Sequence, residues 1–180
     1  MIERLLKVLM KIMLSKTLSG IGGKVMAEIR LMEKEDIQKC TELYLDAFKH
    51  EGEIKEIFCS GLHTYFEQYI KKDYCIAYVL EENDTIIGII TAIIVPGIGL
   101  ETMQIDTVAI SPAYQHKGYG TQMLNDFFKK TQGHIFSICA KRTGIGYKLY
   151  HKVGFSDADD YSYLINIPCV RRHQQVASRA

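Results

Sequence analysis

The chain has 180 residues, 47% apolar and 24% charged, which suits a soluble globular protein with one hydrophobic core. Its net charge is +1, so nothing in the overall charge indicates a nucleic-acid partner. No apolar run is long enough to span a bilayer. The longest, residues 86–95, is interrupted by Gly88 and Thr91 and predicts a buried strand.

The five cysteines are odd in number, widely spaced and without a CxxC pair. This spacing argues against a disulfide framework and offers no set of metal ligands, so we predict no metal site. We interpret the cysteines as small buried apolar residues in a protein of the reducing cytoplasm. They are Cys40, Cys59, Cys75, Cys139 and Cys169.

Residues 1–25 form a basic segment in which apolar residues recur at helical spacing. Three interpretations compete: an amphipathic helix resting on a membrane or a partner, a targeting segment, or a dispensable leader. Lysines interrupt any signal-peptide core, and the stretch SGIGGK is typical of a flexible linker that ends where Met26 begins a new pattern. We favour the leader, with residues 26–168 as the folded domain and residues 169–180 as a polar tail.

From residue 28 onward, the hydrophobic pattern alternates between strand and helix spacing. The predicted elements are strand 28–32, a helix from Asp36, a helix from Ile54 to Ile70, strands 75–80, 85–95 and 103–110, a helix after Gly120, strand 135–139, helix 145–153 and strand 161–167. Consecutive middle strands imply antiparallel pairing, and strand–helix–strand at residues 103–139 implies one parallel crossover. The order β-α-α-β-β-β-α-β-α-β predicts an α/β (α+β) fold with a mixed, mostly antiparallel sheet flanked by helices.

The stretch SPAYQHKGYGTQML, residues 111–124, places Gly118 and Gly120 directly before a helical pattern. A glycine loop at a helix N-terminus can present backbone N–H groups to phosphate. The lysine and hydroxyl of a nucleoside triphosphate loop are missing, and a dinucleotide loop would need a third glycine. A pyrophosphate cradle and an ordinary tight turn remain as the two interpretations.

In its context, this loop resembles the acetyl-CoA loop of the GNAT family of N-acetyltransferases, whose signature is Q/R-x-x-G-x-G/A. Gln115, Gly118 and Gly120 occupy its three fixed places. A strand ending in VAIS precedes the loop, and GYKLYHKVGF further along resembles a second family signature, LYxKxGF. The resemblance covers roughly residues 26–168 and identifies a superfamily without identifying a subfamily.

The resemblance implies acetyl-CoA as the cosubstrate, gripped largely by backbone groups. The N–H groups of residues 115–120 would bind the pyrophosphate, and Thr121 would add a hydroxyl. Val108 and Ile110 would pair with the pantetheine arm like an added strand and support the thioester oxygen, while Thr143 is a further pantetheine candidate. The full predicted set is Val108, Ile110, Gln115, His116, Lys117, Gly118, Tyr119, Gly120, Thr121 and Thr143.

The resemblance further implies direct acetyl transfer to a primary amine, which requires an acid and a base. Tyr150 stands at the family's tyrosine position and would protonate the departing thiolate; a core aromatic is the alternative. Histone-acetylating members carry glutamate where this chain has Gln104, which cannot serve as a base. We predict Asp106 as the base, followed by Glu101 and then a water relay. A structural carboxylate is an equal alternative for Asp106.

Acceptor specificity in such folds comes from the loop between the first two helices, from the second helix and from the start of the fourth strand. The candidates here are His50, Glu51, Glu53, Tyr65, Tyr69 and Glu101, with the loop 95–100. They do not separate a small-molecule amine from a protein amine. We expect a monomer or homodimer without a nucleic-acid partner. A non-catalytic acyl-CoA sensor or scaffold stays open because of Gln104, although Tyr150 argues against it.

Overall fold

The computed structural model describes residues 27–49, 56–97 and 101–158. Its elements are β1 (Glu28–Leu31), α1 (Ile37–Phe48), α2 (Glu56–Lys71), β2 (Cys75–Glu82), β3 (Thr85–Val95), β4 (Thr102–Ile110), α3 (Tyr119–Lys130), β5 (Ile135–Ile138) and α4 (Ile145–Lys152). The predicted leader, the last strand at residues 161–167 and the polar tail lie outside the described residues. Within those ranges, no helix has both the length and the apolar character needed to cross a bilayer.

The described strands form one sheet in the order β1-β2-β3-β4-β5. Neighbours from β1 to β4 pair antiparallel, whereas β4 and β5 pair parallel across the crossover through α3. The β2–β3 hairpin turns at Asn83 and Asp84, both of which have positive φ. These pairings confirm the mixed, mostly antiparallel sheet, its hairpin and its single parallel crossover.

The start of α1 differs from the sequence prediction. A short 3₁₀ turn, Lys34–Asp36, precedes the helix, so α1 begins at Ile37 instead of Asp36. The Asp36 carboxylate turns back toward β1, where it accepts hydrogen bonds from the Arg30 guanidinium (2.6 and 3.0 Å) and from the Glu33 N–H (2.8 Å). Its partners are therefore on the strand side of the turn, which explains the late start of the helix.

The sheet has a hydrophobic core on each face, because residues that alternate along the strands point to opposite sides. The core below α3 contains Ala27, Ile29, Leu80, Ile87, Ile90, Ala92, Met103, Ile105, Met123, Leu124 and Phe127. The core below α1 and α2 contains Met32, Ile37, Cys40, Leu43, Phe66, Tyr69, Ala77, Val79, Ile89 and Ala109. Cys40 is buried as predicted, but the prediction is wrong for Cys139, which is exposed.

Candidate active site

A cleft of about 960 Å³ lies against the carboxyl end of β4, the loop before α3, and α4. It brings together most of the predicted site residues. Those that line it are Asp106, Val108, Ile110, Gln115, His116, Gly118, Gly120, Thr121, Thr143 and Tyr150. Among the described catalytic and cofactor candidates, Glu101, Lys117 and Tyr119 do not line it.

The cleft exists because β4 and β5 pair over only part of their length. Their parallel register runs from Thr102 and Ile135 to Ile105 and Ile138. β4 then continues to Ile110 with no partner among the described residues on its β5 side. Backbone groups on that side of β4 are therefore left for a ligand, as the predicted pairing with a pantetheine arm requires.

The direction of these backbone groups follows from one hydrogen bond. Ser111 N–H donates to the Ile87 carbonyl of β3 at 2.9 Å. Because successive residues of a strand direct their backbone groups to opposite edges, those of Ile110 and Val108 point toward the cleft. The Ile110 carbonyl accepts from Gln115 Nε2 at 2.9 Å, so this glutamine ties the loop to the strand end.

The loop before α3 presents a row of backbone N–H groups. Gly118 (φ 91°) and His116 (φ 60°) both adopt the left-handed conformation. The first bond of α3 runs from Gln122 N–H to the Gly118 carbonyl (3.0 Å), so the first-turn N–H groups of residues 119–121 have no intrahelical acceptor. Among the described residues, the N–H groups of 116–118 have none either. Such a row at a helix N-terminus suits a pyrophosphate.

The two sequence signatures meet where α3 approaches α4. A Cβ at Gly120 would lie 3.0 Å from Leu149 Cδ2, so a larger residue would require the Leu149 side chain to shift. Within α4, a Cβ at Gly146 would lie 3.0 Å from the Tyr150 hydroxyl oxygen. The absence of a side chain at Gly146 therefore lets the Tyr150 phenol lie against the first turn of α4.

The three candidates outside the cleft make other contacts. Lys117 Nζ donates to the Ala113 carbonyl (2.7 Å), and the Tyr119 hydroxyl donates to Glu82. Glu101 lies at the opposite end of β4 from the loop, with a carboxylate oxygen 3.3 Å from His134 Nε2. The structure thus separates Glu101 from Asp106, its rival as base.

Asp106 occupies a β-bulge in β4. Thr91 pairs with Thr107 and Ala92 pairs with Ile105, which leaves Asp106 without a partner on β3. The extra residue reverses which face of the sheet the odd-numbered side chains of β4 meet. Ile105, before the bulge, packs below α3, whereas Ala109, after it, packs below α1 and α2. The bulge places Asp106 beside α2.

Two tyrosines of α2 hold the Asp106 carboxylate. The Tyr65 hydroxyl donates to Asp106 Oδ2 at 2.6 Å, and the Tyr69 hydroxyl donates to the same oxygen at 2.9 Å. The hydroxyls of Thr91 and Thr107 each lie 3.0 Å from the Tyr65 oxygen. Sequence analysis assigned both tyrosines to the acceptor side, but it did not foresee that they bind Asp106. The candidates His50, Glu51 and Glu53 lie outside the described residues.

The environment of these phenols keeps them protonated. Burial raises the pKa of Tyr65 to about 12, helped by its hydrogen bond to Asp106. Burial also raises the pKa of Tyr69, and its interactions with Tyr65 and then Asp106 raise it further. Both hydroxyls are therefore donors at neutral pH.

The cleft has further lining residues that the sequence analysis missed. Tyr44, Ala47 and Phe48 come from α1. Basic side chains come from the other wall, at the end of β5 and along α4. They are Lys141, Lys148 and Lys152, of which the last two are one helical turn apart on α4. Cys139 also lines this wall.

Comparison with known proteins identifies the family of this chain. The family model described as "Acetyltransferase (GNAT) family" matches residues 37–155. A search of curated proteins found no match. Similar solved structures include a predicted acetyltransferase with acetyl-CoA from Clostridium acetobutylicum (20% identity, TM-score 0.63, 78% of this chain and 96% of that chain covered).

Similar solved structures also include two N-acetyltransferases. A ribosomal-protein-alanine N-acetyltransferase from Brucella melitensis biovar Abortus 2308 is 19% identical, with a TM-score of 0.61 and coverage of 78% of this chain and 99% of that chain. An aminoglycoside N-acetyltransferase, AAC(6')-Iy in complex with CoA, is 13% identical, with a TM-score of 0.64 and coverage of 83% and 99%. At these identities the likeness shows a shared fold, while the family model spans most of the chain. The protein belongs to the GNAT family of acetyltransferases.

Proposed function

We propose that this protein transfers an acetyl group from acetyl-CoA directly to a primary amine of a small molecule or a protein. The observation that carries the proposal is the meeting of three features in one cleft: the open edge of β4, the N–H row before α3, and Tyr150. The solved relatives with acetyl-CoA or CoA support the choice of cosubstrate. The free thiols of Cys40, Cys75 and Cys139 support a reducing compartment, the cytoplasm.

The cosubstrate would bind along the open edge of β4. Its pantetheine arm would pair with the backbone of Val108 and Ile110, and its pyrophosphate would sit on the N–H row of residues 116–121. Thr121 and Thr143, which line the same cleft, would add hydroxyl groups. Lysines on the α4 wall would offset the phosphate charge.

The reaction then combines one acyl transfer with the loss of two protons from the ammonium nitrogen and the gain of one by the thiolate. Asp106 accepts a proton from the ammonium group, directly or through water, and the free amine attacks the thioester carbonyl. The new C–N bond forms as the C–S bond breaks, with the backbone N–H of Val108 or Ile110 supporting the oxygen as it gains charge. Tyr150 donates its phenolic proton to the departing thiolate and recovers one, through water, from the attacking nitrogen, which must lose a second proton to become an amide; Asp106 releases its proton to solvent.

A second candidate function is an acyl-CoA sensor or scaffold without turnover. Gln104, exposed on β4, favours it, because histone-acetylating relatives have a glutamate there. An assay of thiol release with acetyl-CoA and a panel of primary amines separates the two functions. A transferase releases thiol only when an amine is present, whereas a sensor shows an acetyl-CoA thermal shift without release.

Tyr150→Phe tests the assignment of the acid. Loss of the phenolic proton should lower kcat by about 10²-fold or more, since general acid catalysis contributes roughly that much, while acetyl-CoA affinity stays nearly unchanged. Tyr74→Phe, at a half-exposed position outside the cleft, is the matched control. An unchanged kcat in Tyr150→Phe would remove Tyr150 from the mechanism.

A further inference from the structure

We propose that the acceptor is a primary ammonium compound with an apolar body and no carboxylate beside its nitrogen. Its ammonium group would pair with Asp106, which Tyr65 and Tyr69 hold in place, and its body would pack on Tyr44 and Phe48. This inference rests on the proposed function and deepens it by naming the class of acceptor.

The Asp106 carboxylate has one occupied and one available oxygen. Both phenols donate to Oδ2, while no donor to Oδ1 is found among the described residues. Asp106 is nevertheless exposed and lines the cleft. An oriented carboxylate with an available oxygen makes a strong charge-assisted hydrogen bond to an ammonium group.

Threonines of the sheet hold the Tyr65 hydroxyl of α2, and this hydroxyl in turn orients Asp106. Thr91 is fully buried and Thr107 nearly so, and both hydroxyls contact the Tyr65 oxygen. Tyr69, 5% exposed, supplies the second donor. Because burial raises the pKa of both phenols, they remain donors to the carboxylate at any pH near neutrality. Tyr65 and Tyr69 are thus positioning residues that act through Asp106.

Charge is unevenly distributed in the cleft. Asp106 is the one acidic residue among the described residues that line it, and it lies at the bulge beside α2. The lysines Lys141, Lys148 and Lys152 belong to the segment from the end of β5 through α4. A cationic acceptor suits the Asp106 end, and an acceptor with a carboxylate beside its amine would place like charges together there.

An aromatic row connects Asp106 with the α1 wall of the cleft. Ring centroids are 4.6 Å apart for Phe48 and Tyr44, 6.3 Å for Tyr44 and Phe66, 5.2 Å for Phe66 and Tyr65, and 4.8 Å for Tyr65 and Tyr69. Of this row, Tyr44 and Phe48 line the cleft and are half-buried. They offer an apolar surface to the body of an amine whose nitrogen is at Asp106.

The test compares acceptors that differ in charge beside the amine, with kcat/KM expressed per free amine because the neighbouring group also changes the pKa of the amine. Thiol release is measured with 2-phenylethylamine, phenylalaninamide and phenylalanine; the amide keeps the size of the carboxylate without its charge. We expect kcat/KM to be at least about tenfold lower for phenylalanine than for phenylalaninamide, as like-charge juxtaposition requires. Asp106→Asn should bring this ratio close to one. If Asp106→Asn also removes the general base, kcat/KM falls for phenylalanine and phenylalaninamide alike, so that effect cancels in their ratio.

The positioning role has its own readout. Tyr65→Phe and Tyr69→Phe should each raise KM for 2-phenylethylamine by about tenfold, with a smaller change in kcat and unchanged acetyl-CoA affinity. Tyr74→Phe is again the control. Phe48→Ala should raise KM for 2-phenylethylamine more than KM for ethylamine, which lacks the ring. If Tyr69→Phe fails to fold, Asp106→Asn at its exposed site still tests the ion pair.

The outcomes separate this inference from the function on which it rests. Turnover that favours phenylalanine, or a ratio unchanged by Asp106→Asn, overturns the acceptor class while the transferase stands. Equal losses of amine and acetyl-CoA binding in the tyrosine variants would overturn the positioning role. Absence of thiol release with every amine overturns the transferase and the acceptor class together.

Discussion

Gly118 and Gly61 are both open to solvent, but their backbones differ. Gly118 has φ 91° at the start of α3, whereas Gly61 lies inside α2 without a positive φ. A Cβ at either position would meet no atom within 4 Å. Because neither position would produce a steric clash, a comparison of the two isolates the effect of backbone strain.

We expect alanine to act in opposite directions at these positions. Gly118→Ala should lower the free energy of unfolding by about 1 kcal/mol, because an L-residue is strained in the left-handed region. Gly61→Ala should raise it by about 0.5–1 kcal/mol through helix propensity. Urea unfolding of both variants measures the difference, and changes of the same sign would contradict the argument.

At the residue scale, the sequence predicts site residues best where a short motif fixes the backbone of a loop. The family resemblance marks Gln115, Gly118 and Gly120, and the structure shows what each does locally: Gln115 ties the loop to β4, Gly118 has a positive φ, and Gly120 lies against Leu149. The Asp106 network could not be predicted in this way. It depends on one extra residue in β4, and a bulge leaves no signal in an otherwise regular strand pattern.

At the element scale, Arg30 connects β1 to the turn before α1 and to β2. Its guanidinium binds Asp36 and also Glu81, and these hydrogen bonds raise its pKa. Burial of Asp36 raises the pKa of that carboxyl, but hydrogen bonds from Arg30 and from the Glu33 N–H outweigh burial and hold it below its usual value. The ionised form of Asp36 therefore stabilises the fold.

This depressed pKa predicts acid sensitivity. A carboxyl with a lower pKa in the folded state contributes its full stability above the unfolded pKa, near 4, and loses it as pH falls through the folded pKa. Between about pH 5 and pH 2, the wild type should lose more unfolding free energy than Asp36→Asn. Urea unfolding across this range tests the difference, with exposed Asp46→Asn as the control. Parallel curves for wild type and Asp36→Asn would refute the role of Asp36.

The sequence predicts the ends of a strand best where turn-forming residues or a proline lie beside them. Both ends of β3 match, because the Asn83–Asp84 turn and Pro96 bound it. β2 instead continues to Glu82, although its charged end indicated a turn. Glu81 binds Arg30 and Glu82 accepts from Tyr119, so both acids have partners distant in sequence that keep them in the strand.

At the scale of the whole molecule, two hydrophobic cores share one sheet. Phe66 of α2 is fully buried on one face and Phe127 of α3 on the other. The element order predicted this layering. The cleft could not be predicted, because it depends on how far β4 and β5 remain paired, which no local pattern states.

The two cores should respond independently. Phe66→Leu and Phe127→Leu should each lower the free energy of unfolding by about 1 kcal/mol, a typical result of near-isosteric repacking. The double variant should lose the sum to within about 0.5 kcal/mol, since the two sites share no partner across the sheet. A double-mutant cycle in urea measures the coupling. A coupling well above that value would mean that the sheet transmits strain between its faces.

The unpaired length of β4 also bears on solubility. Beyond Ile105, the described residues provide no strand partner on the β5 side of β4, although the Ile110 carbonyl accepts a hydrogen bond from Gln115. Such an edge is a template for a strand of another molecule and so a site of edge-to-edge association. A cosubstrate arm that hydrogen-bonds along this stretch covers it as a neighbouring strand would. Binding of the acyl donor along this stretch, as proposed above, would then protect the protein against aggregation.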